Sequence, residues 1–224
     1  MAIPLLQTIR DLGLAPPTSI VQVGASTGQE MKEFLEYGIR RGVFIEPLRE
    51  PFAALSAVCR QIPDFVAVNA LCTATDREDV EFFVASNGGQ SSSALKPLNH
   101  LAEFAHVSFE QRIRLVGHRL DSVLKFARDH GHQRAASAAE LLYMDTQGSE
   151  LQVLRGAVET LKNTSYVITE VTRNELYQGA PTLGELTQFL NSYDFALNNV
   201  NFNRFHHADA LFIKRDRLRL VAGY

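Results

Sequence analysis

The sequence predicts an α/β fold built around one mostly parallel sheet, and three observations support that class. Short β-rich segments alternate with segments of helical periodicity through most of the 224 residues. The apolar runs at 20–23, 43–45, 141–144 and 166–169 end in glycine or acidic residues, as strands often do at the edge where α/β sheets hold ligands. The last two β-rich runs, at 195–197 and 210–213, have no helical pattern between them. They predict an antiparallel pair that closes the sheet.

The first third of the chain contains three predicted strands with helices between them. The strand at 20–23 follows a Pro-Pro breaker, and Thr27 with Glu30 forms a capping-box pattern that predicts the start of the first helix of this unit. The strand at 43–45 ends at Glu46, and a proline at position 51 predicts the start of the next helix. The third strand covers 65–68 and stops at Asn69.

Residues 76–117 interrupt the alternation, so we interpret them as an insertion that covers a site. They contain a predicted exposed or edge strand at 80–84, a turn at 87–89 and a polar loop through residue 93. A short strand at 113–116 precedes a helix at 120–128, and residues 130–139 are predicted as a loop or a frayed helix end.

The last third returns to regular alternation. After the strand at 141–144, an apolar stripe predicts one helix over 151–161, and the next strand covers 166–169. Thr182 and Glu185 form a second capping-box pattern ahead of another amphipathic helix. The closing strands at 195–197 and 210–213 complete a single predicted domain over residues 1–224.

Composition excludes several classes of protein. With 22 basic against 25 acidic residues and no basic stripe, a nucleic-acid partner is not expected. Cys59 and Cys72 lack metal-ligand spacing and are predicted to be core residues in a reducing compartment. No apolar run reaches membrane-spanning length and no signal-peptide pattern is present, so we expect a cytoplasmic protein.

A glycine-bearing turn follows the first strand. Gly24 and Gly28 allow the backbone to approach a ligand, and the amide groups at the start of the next helix suit a carboxylate, a ribose hydroxyl or a phosphate. A tight strand-to-helix turn without a ligand is an equally simple interpretation. Glu46, about twenty residues later, is placed to accept both hydroxyls of a ribose, with a surface glutamate as the alternative. Asn69 is placed to reach the adenine ring or the ribose of a bound nucleotide-type cofactor, with a simple turn residue as the alternative.

Acidic and amide side chains follow the strands at 141–144 and 166–169. Asp145, Glu150 and Glu170 are candidates for a base that removes a proton, with helix capping as the alternative for the first two. His118 is a further candidate, with a surface histidine as the alternative. Asp145 and Glu170 together also suit a magnesium ion. The two histidines at 206–207 have no third metal ligand at a suitable spacing, so we interpret them as polar residues of a loop or strand edge.

The chain resembles the FkbM family of S-adenosylmethionine-dependent methyltransferases across residues 18–214. The segments that carry the resemblance are Val23-Gly24-Ala25-Ser26-Thr27-Gly28, Phe44-Ile45-Glu46-Pro47, and Met144-Asp145-Thr146-Gln147-Gly148-Ser149-Glu150 with the following Leu-Arg-Gly-Ala at 154–157. The resemblance implies a class I methyltransferase Rossmann-like fold, with a seven-stranded mostly parallel sheet and an antiparallel closing strand. Two positions depart from the family pattern: Gln22 stands where an acid is frequent, and Gln147 stands where glutamate is frequent.

The resemblance and the strand ends together predict three groups of site residues. The expected S-adenosylmethionine contacts are Gln22, Gly24, Ala25, Ser26, Gly28, Glu46, Pro47, Asn69 and Asp145. The expected catalytic residues are Asp145, Glu150, Glu170 and His118. The expected substrate contacts are Ser91, Ser92 and Gln147. No resident metal is expected.

The resulting functional hypothesis is O-methylation of a hydroxyl on a sugar, a glycan or a secondary metabolite. Residues 18–75 would then form a cofactor-binding half, 76–117 a lid, and 118–214 a substrate half with the closing strands. Few aromatic residues occur in the segments assigned to the acceptor, so a polar pocket is expected. Deleting residues 88–92 is expected to abolish methyl transfer and leave cofactor affinity nearly intact.

Two other functions are carried as alternatives. A nicotinamide-dependent oxidoreductase would share the glycine turn, although the missing third glycine and the closing strand pair argue against it. A non-catalytic cofactor-binding module is suggested by Gln22 and Gln147. The expected partner is a small-molecule or carbohydrate acceptor, and the oligomeric state stays open, with a homodimer as one alternative.

Overall fold

A computed structural model describes residues 3–137, 139–202 and 207–222 of the chain. Its strands are β1 (Ser19–Val23), β2 (Arg41–Ile45), β3 (Phe65–Val68), β4 (Leu71–Cys72), β5 (Glu78–Val84), β6 (Gln111–His118), β7 (Leu141–Met144), β8 (Tyr166–Thr172), β9 (Phe195–Phe202) and β10 (His207–Lys214). Its helices are α1 (Ile3–Asp11), α2 (Met31–Tyr37), α3 (Arg49–Cys59), α4 (His100–Glu103), α5 (Leu120–Asp129), α6 (Gln133–Ala136), α7 (Glu150–Arg155), α8 (Val158–Lys162), α9 (Leu183–Asn191) and α10 (Arg215–Ala222).

Seven strands form the main sheet in the order β3-β2-β1-β7-β8-β10-β9. In this sheet, the neighbouring strands β3, β2, β1, β7 and β8 pair in parallel. Strand β10 lies antiparallel between β8 and β9. This arrangement confirms the predicted fold class, including the antiparallel run at 210–213. The two closing strands are longer than the sequence predicted, and a register irregularity separates Leu211 from Phe212.

The central strands are buried on both faces, which explains their continuous apolar sequences. All five residues of β1 are buried, and alternate residues contribute to different halves of the core. Val21 belongs to a cluster with Val43 and Leu142, whereas Ile20 belongs to a cluster with Phe44. Helices cover both faces, so the carboxyl ends of the parallel strands remain as one accessible edge.

The insertion at 76–117 contributes most of a second, three-stranded sheet of order β4-β6-β5. The predicted strands at 80–84 and 113–116 fall within β5 and β6, which pair antiparallel. Phe82 packs with Leu48 and Leu71, so this small sheet is attached to the loop that follows β2. The predicted turn at 87–89 lies inside a longer turn segment over 86–91.

Two helix predictions at capping boxes had opposite outcomes. Thr182 and Glu185 form the complete capping box, with the Thr182 hydroxyl 3.2 Å from the Glu185 amide and the Glu185 carboxylate 2.8 Å from the Thr182 amide. The prediction at Thr27 and Glu30 was wrong, because α2 begins only at Met31. Positive φ angles at residues 26 and 28 keep the chain in turns until that point.

The predicted helix over 151–161 is two short helices, α7 and α8, separated at Gly156. A Cβ atom at this position would lie 2.2 Å from the carbonyl oxygen of Thr73, so the close approach of the β4–β5 connection requires glycine. Residues 133–136 form a short helix in the segment predicted as a loop or frayed end.

Both cysteines are buried and free, as predicted for core residues. None of the helices within the described ranges combines the length and apolarity that a membrane span requires.

Candidate active site

A cavity of about 450 Å³ opens at the carboxyl ends of β1, β2, β7 and β8. Its floor comes from the segments that follow these strands, and the loop over 87–92 forms part of its wall. This is the position at which open α/β sheets hold their ligands. The predicted site residues that line it are Gly24, Ser26, Glu46, Pro47, Ser91, Ser92, Asp145, Gln147 and Glu170.

The glycine turn after β1 is fixed by two neighbouring strands. The amides of Gly24 and Ala25 both donate to the carbonyl of Ile45, at 3.0 Å each. Gly24 has a φ of 81°, and a Cβ atom there would lie 1.8 Å from the carbonyl oxygen of Asp145. The turn therefore passes so close to the end of β7 that a side chain at position 24 is excluded.

Glu46 is a buried carboxylate, 6% exposed, on the wall of the cavity. One of its oxygens accepts from the amide of Ser26 at 2.9 Å and the other accepts from the amide of Leu48 at 2.9 Å. Burial raises the pKa of Glu46, while these two amides act in the opposite direction. The side chain thus joins the turns after β1 and β2 and keeps further lone pairs for a ligand.

Four of the predicted cofactor contacts support the turns without lining the cavity. Asn69 donates to the backbone carbonyls of Glu46 and Pro47, at 2.8 and 2.9 Å. Ala25 is fully buried, and Gly28 packs near the side chains of α2 and α3. Gln22 is buried, and its amide nitrogen lies 3.3 Å from a carboxylate oxygen of Glu30. The structure therefore places these four behind the cavity wall.

Asp145, Gln147 and Glu170 form a connected group at the ends of β7 and β8. The amide nitrogen of Gln147 donates to Asp145 at 2.7 Å and to Glu170 at 2.9 Å. Burial, followed by the nearby Glu170 carboxylate, raises the pKa of Asp145 well above its usual range. Burial and the carboxylates of Glu150 and Asp209 raise the pKa of Glu170 to about 8. One amide thus bridges two acids whose charged forms are disfavoured.

Two residues predicted to be catalytic lie away from the walls of this cavity. Glu150 is buried, and one of its oxygens accepts from the amide and hydroxyl of Thr146 and from the amide of Gly148, at 3.0, 3.0 and 3.2 Å. It is the cap of the turn before α7, as the alternative interpretation stated. His118 ends β6 in the small sheet, with 41% of its side chain exposed and Nδ1 3.9 Å from a carboxylate oxygen of Asp76.

The loop over 87–92 is tied to the rest of the wall through hydroxyl groups. The hydroxyl of Tyr177 lies 2.7 Å from the carbonyl of Ser91 and 3.0 Å from the side-chain oxygen of Gln147. Ser92 accepts from the amide of Ala85 at 2.9 Å, and Ser93 donates to the backbone carbonyl of Gln147 at 2.7 Å. These bonds join the loop directly to the Asp145–Gln147–Glu170 group.

The structure adds ring-bearing residues to the cavity that the sequence did not predict as site residues. His100 and Phe104 come from α4 and the turn after it, and His207 comes from β10. His207 was interpreted as strand-edge polarity, but its Nδ1 lies 3.1 Å from a carboxylate oxygen of Glu170. Burial lowers the pKa of both histidines. His206 lies outside the described residues.

The expectation of a pocket with few aromatic residues is corrected by these neighbours. Tyr177 and Phe109 contact the His100 ring, and Phe104 contacts both histidine rings. The polar groups at the ends of β7 and β8 therefore share the cavity with the rings of His100, Phe104 and His207, whereas Tyr177 and Phe109 are not among its lining residues. The sequence did not predict these aromatic neighbours, because the rings come from the insertion and from a strand far along the chain.

The magnesium alternative for Asp145 and Glu170 meets an obstacle in Gln147. Its amide donor occupies the space between the two carboxylates, which a shared cation would need. Within the described ranges, no cluster of three or more histidine, cysteine or acidic residues has the geometry to hold a metal ion.

Comparisons with known proteins identify similar chains. Residues 22–197 match the family described as Methyltransferase FkbM domain. The 2-O-methyltransferase NoeI of Sinorhizobium fredii is 27% identical over 188 residues, which cover 80% of this chain and 73% of that protein.

Solved structures show the same fold at low sequence identity. A methyltransferase FkbM from Methylobacillus flagellatus gives a TM-score of 0.57 at 15% identity, covering 88% of this chain and 43% of that chain. The present chain thus spans less than half of that protein. Magnesium protoporphyrin IX methyltransferase (ChlM) from Synechocystis, solved with bound SAM, gives a TM-score of 0.51 at 8% identity, covering 95% of this chain and 77% of that chain.

Proposed function

This chain belongs to the FkbM methyltransferase family, and we propose that it methylates a hydroxyl group on a sugar, a glycan or a secondary metabolite. The family match covers 22–197 and identifies an S-adenosylmethionine-dependent methyltransferase, in place of the nicotinamide-dependent oxidoreductase or the non-catalytic module. Our proposal concerns the chemical class of the methyl acceptor.

The observation that carries the proposal is the Asp145–Gln147–Glu170 group on the cavity wall. It presents carboxyl and amide oxygens, which accept hydrogen bonds from hydroxyl groups. Ser91 and Ser92, in the loop over 87–92, line the same cavity. A polyhydroxylated acceptor supplies the matching donors. The similarity to a protein described as a 2-O-methyltransferase supports oxygen as the methylated atom.

The cofactor would occupy the other end of the cavity. There, Gly24 and Ser26 follow β1, Glu46 and Pro47 follow β2, and 70–72 contribute a further wall. We propose that Glu46 accepts the ribose hydroxyls and that the Gly24 turn contacts the amino-acid portion of the cofactor. Gln22, Ala25, Gly28 and Asn69 would act by holding these turns in place.

Between the two ends, Asp145 and Glu170 would position the acceptor. S-adenosylmethionine supplies an activated methyl group when bound, so the protein has two tasks: alignment of the acceptor oxygen and removal of its proton. Asp145 lies at the end of the central strand β7 and Glu170 on neighbouring β8. The aromatic wall would exclude water beside them and pack against the apolar face of a sugar ring.

A methyl-transfer screen tests the proposed acceptor class. The protein is incubated with S-adenosylmethionine carrying a labelled methyl group and with panels of saccharides, phenols and carboxylic acids. We expect label in O-methyl ethers of one or more saccharides or other alcohols, identified by mass spectrometry. Label found only in phenols, carboxylates or nitrogen-containing acceptors would contradict the proposal.

A further inference from the structure

We propose that His100 is the general base that removes the proton from the acceptor hydroxyl. The inference rests on the proposed function, since it requires an oxygen acceptor. It assigns the proton transfer to a residue of the lid region, whereas the sequence pointed to the acidic strand ends and His118.

The position of His100 is fixed by contacts on several sides. Its backbone amide lies 3.3 Å from the carbonyl of Leu176, which also accepts from the amide of Leu98 at 2.8 Å. Its ring centre lies 4.9 Å from that of Phe104, 5.1 Å from Phe109 and 5.4 Å from Tyr177. The imidazole is therefore held by aromatic packing on the wall of the cavity.

His100 carries an unused polar atom. The residue is 2% exposed, and its Nδ1 is buried without a hydrogen-bond partner among the residues that the structure describes. A buried nitrogen in that state is costly, and native proteins rarely keep one without a reason. The ring lines the cavity, but Nδ1 itself is closed to solvent, so the imidazole must turn within its aromatic contacts before this nitrogen can accept a proton from a bound hydroxyl group.

The acidic residues that the sequence singled out as candidate bases have bonding partners that compete for their proton-accepting atoms. Asp145 and Glu170 both accept from Gln147, and Glu170 also contacts His207. Glu150 is engaged by the turn before α7. His100 differs from them because rings, rather than polar partners, surround it.

The surroundings of His100 favour its neutral form. Burial lowers its pKa, and the charges of His207 on β10 and His106 after α4 act in the same direction. Glu103 on α4 acts in the opposite direction. The ring is therefore unprotonated at neutral pH and able to accept a proton.

The proposed step transfers a methyl group to the acceptor oxygen and a proton to His100. The acceptor oxygen forms a bond to the methyl carbon as the carbon–sulfur bond of S-adenosylmethionine breaks, and the electron pair of that bond stays on sulfur. The hydroxyl proton passes to an imidazole nitrogen of His100. The products are a methyl ether, S-adenosylhomocysteine and an imidazolium ion, which returns its proton to solvent.

The test uses the full chain, labelled S-adenosylmethionine and the best acceptor found in the screen of saccharides and other alcohols. His100→Asn and His100→Gln each retain an amide near one of the two ring nitrogens, and His132→Asn replaces an exposed histidine as the matched control. We expect both His100 variants to lose about 10²–10⁴-fold in kcat, a typical contribution of general-base catalysis. The wild-type decrease in kcat/KM toward acidic pH should become flatter in both variants. Their affinity for S-adenosylhomocysteine should match that of the wild type and of His132→Asn.

Three results would overturn the inference. Near-wild-type rates with an unchanged acidic limb would show that another group takes the proton. Loss of S-adenosylhomocysteine binding in both His100 variants, but not in His132→Asn, would show that the ring supports the cavity itself. A wild-type protein that methylates only carboxylates or nitrogen-containing acceptors would refute the proposed function first, and the inference with it.

Discussion

At the scale of single residues, four acidic side chains near the ends of β2, β7 and β8 divide into two groups. Glu46 and Glu150 accept hydrogen bonds from backbone amides and hold turns, whereas Asp145 and Glu170 share the side-chain amide of Gln147. A carboxylate that holds a turn can still bind a ligand, since each oxygen has more than one lone pair. Glu46 holds two turns and also lies on the cavity wall, where it can contact a ligand.

Replacing Glu46 with alanine should weaken S-adenosylmethionine binding by about 1.5–3 kcal/mol, the range for hydrogen bonds to a charged group. The loss has two sources: the contact proposed for the ribose hydroxyls and the bonds that fix the amides of Ser26 and Leu48. Calorimetric titration of both proteins measures the difference. Glu50→Ala, at an exposed position of α3, is the matched control and should bind normally.

Circular dichroism establishes that the Glu46→Ala protein is folded before the titration. A folded variant with the dissociation constant of the wild type would remove Glu46 from the cofactor site. A similar loss in Glu50→Ala would attribute the effect to charge on this side of the protein.

At the scale of elements, the loop over 87–92 is joined to the sheet edge by one side chain from a distant segment. Tyr177 contacts the carbonyl of Ser91 and the side chain of Gln147 through the same hydroxyl. The loop also reaches the segment after β2, because a Cβ atom at Gly89 would lie 2.7 Å from the side chain of Leu48. Deleting residues 88–92 would therefore disturb both ends of the cavity, and a single hydroxyl is the better target.

Tyr177→Phe should lower kcat/KM for the acceptor by roughly 2- to 10-fold, which corresponds to one hydrogen bond of ordinary strength. The ring remains to pack against His100, so S-adenosylhomocysteine affinity should stay unchanged. Methyl-transfer kinetics and calorimetry measure the two quantities. Tyr193→Phe, which keeps the ring contact with Phe189, is the control. Reduced cofactor affinity with normal acceptor kinetics would place the Tyr177 contact in the cofactor site.

The break between α7 and α8 gives a second prediction at this scale. Gly156→Ala should destabilise the protein by about 1–3 kcal/mol, the usual cost of forcing atoms into a packed interior. The Thr73 carbonyl that the new methyl group would meet is backbone and cannot rotate away. Denaturant unfolding measures the change.

Gly184→Ala is the matched control, because its new Cβ atom would meet only the Thr182 hydroxyl at 3.7 Å within α9. That substitution should be neutral or should stabilise by about 0.4–1 kcal/mol. Equal effects of the two substitutions would mean that Gly156 is not required by the contact with Thr73.

At the scale of the whole molecule, the sequence predicted the framework of the fold. Strands that are buried on both faces have continuous apolar sequences, and the polar residues that follow them lie at the edge of the sheet. The order of elements and the antiparallel β10 followed from this pattern. The break at Gly156 did not, since it depends on a contact with Thr73 that is distant in sequence.

The lining of the cavity was predictable where it comes from those strand ends. Gly24, Glu46, Asp145 and Glu170 all line the cavity, because parallel strands bring their carboxyl ends together. His100, Tyr177 and His207 meet them from an irregular insertion, a loop and a closing strand. Their positions depend on how these segments fold back over the sheet, which no local pattern in the chain encodes.

The buried acids at the sheet edge make stability depend on pH. The pKa of Glu170 is raised from 4.5 to about 8 in the folded protein, so between these values the folded state holds a proton that the unfolded state releases. Its contribution to stability is complete below the unfolded pKa and is lost as pH rises through about 8. His100 and His207, with lowered pKa, have the opposite dependence and affect mainly the range below their ordinary value of 6.5.

In the window from about pH 6.5 to pH 8, background titration is common to the wild type and to Glu170→Gln, so the difference between the two proteins isolates Glu170. There, the free energy of unfolding of the wild type should fall with pH relative to that of Glu170→Gln. The difference should approach about 1.4 kcal/mol for each pH unit over which one bound proton separates the states. Glutamine keeps the shape and can still accept from His207, so the variant removes the titration and preserves the packing. Urea unfolding across the window measures both slopes, and Glu50→Gln, at an exposed site, should follow the wild type. Parallel curves for wild type and Glu170→Gln would show that Glu170 is ionised in the folded protein throughout, and that the Gln147 amide and His207 stabilise its charge more strongly than burial opposes it.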